Sequence, residues 1–268
     1  ESMTLEVSAA PLKDENGAIL GYVILFKDLT EVKSLRKEIA RSQRLASLGR
    51  LAAGVAHEIR NPLSSIKGFA TYLKERYKDA VEDRETADIL IQEVDRLNRV
   101  VGQLLELARP ISVVKSKIPA SDLIRESLLL IRRQAEKCQI MVKCEIPSRS
   151  PDLFVDEDKI RQALLNLYLN AIDSMKEGNG EKILSVSLNP VITDKKTEIR
   201  VTDSGIGIGE GDLSHIFDPF FTTKSSGSGL GLAIVHNIME AHQGEVNVQS
   251  DGDKGTTVVL RFPTEAGS

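Results

Sequence analysis

Apolar or small residues recur at Leu45, Leu48, Ala52, Val55, Ile59, Pro62, Ile66, Phe69 and Leu73, three and four apart without a slip. The alternation returns at Ala87, Leu90, Val94, Leu97, Val101, Leu104 and Ala108, and Pro110 ends it. Such spacing is the seam of a helix packed lengthwise on other helices. Two seams joined by the polar stretch 75–83 predict an antiparallel hairpin of helices, each roughly 37–43 Å long at 1.5 Å per residue. Gly68 is tolerated inside the first helix, and Pro62 bends it. One hairpin cannot cover both of its seams. Two copies paired as a four-helix bundle can, which predicts a homodimer.

The register also places a histidine. With Leu45 at position a, Val55 falls at d, Ile59 at a and His57 at f, facing solvent. Glu58 lies beside it and Asn61 one turn on, so the segment VAHEIRNPL offers a histidine to something arriving from outside. A surface histidine on a charged helix face is the plain alternative, and the rest of the chain decides between them. Upstream, residues 4–28 read as two strands around the turn signal Asn16-Gly17. Asp28-Leu29-Thr30-Glu31 resembles a capping box that starts a helix. Val32, Leu35, Ile39 and Ser42 open a heptad pattern, and the step 42, 45, 48 is a three-residue stammer that would overwind a coiled coil.

Composition narrows the function classes. A net charge of -4 without a Lys/Arg block leaves no footprint for nucleic acid or an anionic membrane surface. No apolar run approaches the roughly 20 residues of a membrane span, and no signal-peptide pattern appears. Cys138 and Cys144 fall in one expected strand near 138–146, about 20 Å apart, too far for a disulfide. They make no zinc pattern either, and a reducing, cytoplasmic setting follows.

After Pro110 the pattern turns to mixed α/β. Strands are expected near 113–118, 138–146, 183–192, 197–203, 244–250 and 256–262, with a short apolar patch at 153–155. Helices are expected near 121–137, from Asp156 onward, and near 230–242. The predicted fold class is therefore α+β multidomain: a helical hairpin forming a dimeric four-helix bundle, then a two-layer α/β sandwich.

Three segments of the second part carry chemistry. Asn166 and Asn170 sit at i and i+4 on one helix face, where neutral amide oxygens suit a hard cation that keeps several waters, as magnesium does. Val201-Thr202-Asp203-Ser204-Gly205-Ile206-Gly207-Ile208 ends a strand with a carboxylate able to accept from an amino group such as that of adenine. Its glycines, Gly205 and Gly207, permit close backbone approach. Ser228-Gly229-Leu230-Gly231-Leu232 opens a helix whose N–H groups suit phosphate oxygens. Neither glycine stretch is a Walker A loop or the dinucleotide fingerprint. Between them, Ile216-Phe217-Asp218-Pro219-Phe220-Phe221-Thr222-Thr223-Lys224 is either a satellite core or a movable lid. Lys224 is either a phosphate ligand or a solvated lysine.

Taken in order, these segments resemble the boxes of a bacterial two-component sensor histidine kinase over nearly the whole chain. Residues 45–63 are similar to the H-box, 162–176 to the N-box and 201–208 to the first glycine box. Residues 217–224 are similar to the F-box and 227–235 to the second glycine box. The H-box and Asn166-Leu167-Tyr168-Leu169-Asn170-Ala171 resemble the nitrogen-regulatory and zinc-responsive subgroup. Residues 1–30 resemble the last strands of a PAS domain, which implies that the chain begins inside one. The implied division is 1–30 PAS strands, 31–44 a coiled-coil linker, 45–111 a dimerisation and histidine phosphotransfer domain, and 112–268 an ATP-binding domain of the GHKL type.

The resemblance implies autophosphorylation of His57 from ATP, with Glu58 orienting the ring or accepting its other proton. Asn170 and Asn166 would hold Mg2+, Lys224 would offset phosphate charge, and Asp203 with Thr256 would hold adenine. Gly205, Gly207, Gly229 and Gly231 would shape the nucleotide site. The phosphoryl group would pass to an aspartate of a response-regulator receiver domain, and Asn61 would place water to dephosphorylate that partner. Fold relatives that hydrolyse ATP as molecular clamps carry a glutamate where this chain has Asn166, and an amide cannot take a proton from water. A phosphatase-biased or non-catalytic dimeric regulator is the remaining alternative. The fragment itself is expected to be cytoplasmic, without membrane contact, whether or not the parent protein is anchored upstream.

Overall fold

A computed structural model describes residues 5–13, 19–29, 32, 59–77, 80–109, 111–176, 180–191, 196–224 and 227–263. Strands β1 (Leu5–Lys13) and β2 (Ile19–Asp28) pair antiparallel, with a register shift between Leu12 and Lys13. Apolar side chains stay exposed on both faces of this ribbon, Val23 and Leu25 on one and Tyr22, Ile24 and Phe26 on the other. The Asn16-Gly17 turn, the capping box beyond Leu29 and the stammer at 42–48 lie outside the described residues.

Helices α1 (59–76) and α2 (Val81–Ala108) form the expected hairpin. Lys67 Nζ meets Asp95 Oδ1 at 2.6 Å and Lys74 Nζ meets Asp88 Oδ1 at 2.5 Å, which fixes the antiparallel register. The stripe that closes the hairpin differs from the one expected. On α1 the buried residues are Leu63 and Ala70, neither in the predicted seam, while Ile59, Ile66, Phe69 and Leu73 are exposed. On α2 the seam splits. Ala87, Val94 and Val101, seven apart, are buried, whereas Leu90 and Leu97 remain open. Leu104 packs instead against the core of the second unit. A bundle helix has more than one neighbour, so its apolar face is wider than a two-residue-per-heptad seam.

The second unit has β3 (Ser116–Pro119), α3 (Ala120–Lys137), β4 (Met141–Glu145), β5 (Asp152–Val155) and α4 (Glu157–Ser174). Then come β6 (Ile183–Val191), β7 (Lys196–Asp203), α5 (Gly231–Ala241), β8 (Glu245–Ser250) and β9 (Thr256–Pro263). The main sheet runs β4-β6-β7-β9-β8, antiparallel except for the parallel pair β4 and β6. β3 and β5 form a separate antiparallel ribbon. Helices α3, α4 and α5 bury one side of each into a common core. Tyr168 is wholly buried there, its hydroxyl 3.2 Å from Ser127 Oγ, and burial pushes its phenol above the ordinary range. Cys138 is not in a strand. It caps the end of α3, so the one-strand separation expected from Cys144 does not apply, and both cysteines are free.

Candidate functional site

Strand periodicity delivers the first site residue. Along β7, Thr197, Ile199, Val201 and Asp203 are buried at every second position, so the face that packs under the helices ends in a carboxylate. Asp203 is 8% exposed. Its Oδ1 accepts from Ser174 Oγ at 2.9 Å and from Gly205 N at 2.8 Å. Burial raises its pKa against these donors, the Thr256 amide and the charge of Lys224. Thr256 is its cross-strand partner, and Val258 follows on the same face of β9.

Helix α4 supplies the next group. Asp156 caps it, accepting from Lys159 N at 3.2 Å and from Val114 N at 2.8 Å. Asn166 and Asn170, one turn apart, both line the cavity that Asp203 and Thr256 enter. Asn166 Nδ2 is buried without a hydrogen-bond partner among the described residues. A buried amide left unsatisfied costs about 1–3 kcal/mol, so this one calls for an acceptor from a ligand. The donor set is amide oxygen with no surrounding carboxylate cluster, since no group of three or more His, Cys, Asp or Glu residues able to hold a metal occurs among the described residues. Such a set fits a cation that arrives with phosphate oxygens already around it.

The glycines divide by role. Gly207 (φ +71°) and Gly229 (φ +65°) need the left-handed region, and both line the cavity. A Cβ on Gly207 would meet Gly252 O, and one on Gly229 would meet the Phe220 backbone. The close approach expected for a ligand is therefore made by the protein's own backbone. Gly205 does not line the cavity. It sits against Ser174 and donates its N–H to Asp203. Gly231 starts α5 and faces Asn170 across the cavity; no side chain caps that helix. Its first N–H groups are thus open to an anion.

The phenylalanine segment is neither purely core nor purely lid. Ile216 is buried and Phe217 packs at a tilt against His236 with centroids 5.3 Å apart, while Phe220 is exposed with φ +68°. Phe220 N donates to Gly229 O at 2.9 Å, tying this segment to the second glycine stretch. Lys224 lines the cavity and donates from Nζ to Asn170 O at 3.1 Å.

The cavity measures about 280 Å³. It gathers Asn166, Asn170, Asp203, Gly207, Lys224, Gly229, Gly231 and Thr256. His57 and Glu58 lie outside the described residues. Asn61 is exposed in the first described turn of α1. Sequence reasoning missed Ser174, whose signal was a hydroxyl one turn beyond Asn170 on α4. It also missed Arg96, Arg99, Val100 and Gln103, through which α2 forms one wall of the cavity.

Comparison with known proteins follows the same division. Residues 47–112 match the family described as His Kinase A (phospho-acceptor) domain. Residues 155–266 match the one described as Histidine kinase-, DNA gyrase B-, and HSP90-like ATPase. Sensor histidine kinase ZraS of Escherichia coli (strain K12) is 42% identical over 92% of this chain and 52% of its own length. Signal transduction histidine-protein kinase AtoS of the same strain is 33% identical over 98% of this chain and 42% of its own. The chain thus spans about half the length of these relatives. Among solved structures, full-length ShkA in complex with AMPPNP superposes with a TM-score of 0.67 at 27% identity, covering 80% of this chain and 45% of ShkA. Histidine kinase ThkA in complex with response regulator protein TrrA gives 0.63 at 28% identity, over 97% of this chain and 75% of ThkA. No helix among the described residues is long and apolar enough to cross a membrane.

Proposed function

We propose that this chain, which belongs to the two-component sensor histidine kinases, transfers the γ-phosphoryl group of ATP to His57. The phosphoryl group then passes to an aspartate of a response-regulator receiver domain. One observation carries the reading. Asp203, the two asparagines, Lys224 and the open end of α5 converge on a single cavity, and a wall of that cavity is α2, whose hairpin partner α1 begins two residues after His57 in the sequence.

Adenine lies at the Asp203 and Thr256 end, its amino group donating to the carboxylate and its rings against Val248 and Val258. The phosphates lie toward Asn170, Lys224 and the first turn of α5. Gly231 keeps that path clear of a side chain, Gly207 and Gly229 let the backbone around it close in, and Gly205 aims Asp203. Asn170 and Asn166 would hold Mg2+, which supplies charge neutralisation on the phosphates when bound. Lys224 adds a second cation. His57 attacks through a neutral ring nitrogen, and Glu58 orients the ring or takes its other proton. With an amide at 166, which cannot take a proton from water, rapid ATP hydrolysis is disfavoured relative to phosphoryl transfer.

The hairpin register supports this placement. The pairs 67 with 95 and 74 with 88 put the first described turn of α1, 59–63, level with 99–103 of α2. That level of α2 is where the cavity meets it. Asn61, exposed in the same turn, is read as positioning water for dephosphorylation of the receiver. The stripe of Ile66, Phe69, Leu73, Leu90 and Leu97 left open on the hairpin supports a homodimer. We read residues 45–111 as the dimerisation and phosphotransfer domain and 112–268 as the ATP-binding domain. Residues 1–30, whose described strands β1 and β2 are apolar on both faces, are read as the end of a PAS sheet.

Incubation with radiolabelled ATP tests the proposal. The expected label on the chain is lost in acid and kept in base, and absent from His57→Gln while ATP binding persists. Labelling that survives in His57→Gln would overturn the assignment.

A further inference from the structure

The cavity wall on α2 comes from outside the boxes that define the nucleotide site. Arg96, Arg99, Val100 and Gln103 occupy one face of that helix at i, i+3, i+4 and i+7. The contact is a packed one. Val100 and Leu104 rest on the core of the second unit, Leu107 is buried in it, and Glu106 meets Lys159 at 3.7 Å.

Gln103 fixes which end of the cavity α2 faces. Its Oε1 accepts from Ser228 Oγ at 2.9 Å, and Ser228 directly precedes Gly229 and the start of α5. This is the end with Lys224, Asn170 and the uncapped N–H groups. Arg99 lies one turn from Gln103, about 6 Å of helix rise, within the span of an arginine side chain. The two arginines differ in company. Arg96 pairs with Glu93 at 3.0 Å, whereas Arg99 forms no ion pair with any described residue.

We propose that Arg99 binds the terminal phosphate of ATP from the hairpin side of the cavity, an inference that rests on the nucleotide reading above. A planar guanidinium takes two phosphate oxygens through a fixed pair of parallel N–H donors, a geometry the point charge of a lysine lacks. Lys224 and α5 belong to the nucleotide unit and serve the phosphates that ATP and ADP share. Arg99 belongs to the hairpin and serves the one that only ATP carries. The third phosphate thereby adds a bridge to the packed contact between the two units, with the phosphoryl donor held against α2, and ADP does not make that bridge.

Calorimetric titration of the whole chain with AMPPNP and with ADP, both with magnesium, tests this. Arg99→Gln keeps the helix preference and a polar end while shortening the side chain and removing its charge. It is expected to weaken AMPPNP about tenfold or more and ADP by less than about twofold, with Arg99→Lys recovering part of the loss. Equal weakening of both nucleotides, or unchanged AMPPNP affinity, overturns the inference and leaves the nucleotide reading standing. A wild-type chain that binds neither nucleotide overturns both.

Discussion

Asp203→Asn separates binding from folding at the adenine end. In the folded chain one carboxylate oxygen already accepts two donors, Ser174 Oγ at 2.9 Å and Gly205 N at 2.8 Å. The asparagine carbonyl can keep both. Its NH2 then stands where the other oxygen stood, facing the amino group of adenine, donor against donor. A hydrogen bond to a charged group contributes about 1.5–3 kcal/mol, and each 1.4 kcal/mol is about tenfold in affinity, so ATP should bind about 10- to 150-fold more weakly. Folding should change little. The Thr256 amide loses its acceptor, about 1 kcal/mol, but a charge no longer has to be buried. That burial raises the carboxyl pKa above its unfolded value. The folded chain therefore binds the proton more tightly, and the wild-type apo protein loses stability as pH rises from the ordinary carboxylate range through the raised value. Asp203→Asn should lack that decline. Fluorescent-nucleotide titration beside thermal melts across pH 4–8 reads both effects. Affinity within twofold of wild type, with the fold intact, would refute the pocket as described.

Three further outcomes follow from particular contacts. His242 Nε2 accepts from Asp156 N at 3.0 Å and its Nδ1 donates to Ile238 O at 2.7 Å, so only the neutral ring fits, and burial holds its pKa below the usual value. Stability from this group is complete above about pH 6.5 and lost as pH falls through the depressed value; the melting temperature should drop in that window for wild type and not for His242→Gln. Phe69, 71% exposed on α1, should hold two hairpins together, so Phe69→Glu should yield a monomer by sedimentation, and an intact dimer would count against the bundle. Gly229→Ala places a Cβ against the Phe220 backbone at positive φ, costing on the order of 1–3 kcal/mol; nucleotide affinity should fall severalfold while the hairpin stays helical by circular dichroism.

Much of the fold was readable in the chain because burial leaves a periodic trace. Period two along 197–203 marks β7 and carries Asp203 to its end, and the i, i+4 asparagines lie on one face of α4 as their spacing requires. What the periodicity does not carry is the identity of the partner. Leu104 reads as bundle seam, yet it packs on the other unit, because an apolar side chain records only that it leaves water. The parallel pairing of β4 with β6 is likewise invisible, since pattern fixes the faces of a strand and not its neighbours. Gln103, Arg99 and Ser174 are polar residues of ordinary helices, and nothing local distinguishes them from solvated ones. The glycines were readable as positions needing room, but the room at Gly205 and Gly207 is taken by Ser174 and Gly252.

The three uses of α2 fit around one helix without competing. Residues seven apart drift by only about 20° per heptad, so Ala87, Val94 and Val101 form one strip against α1. Leu90 and Leu97 form a neighbouring strip that stays open. Val100 and Leu107 are each one residue step, about 100°, from Val101 and Ala108, which turns them toward the second unit. Arg99 lies a further step round, over the cavity. Docking of the nucleotide unit therefore leaves the strip at Leu90 and Leu97 uncovered, and a bundle built on that strip leaves the Arg99 face free. Dimer formation and nucleotide capture are compatible on this geometry, and Leu104, at the border between the strips, is the one seam position they share.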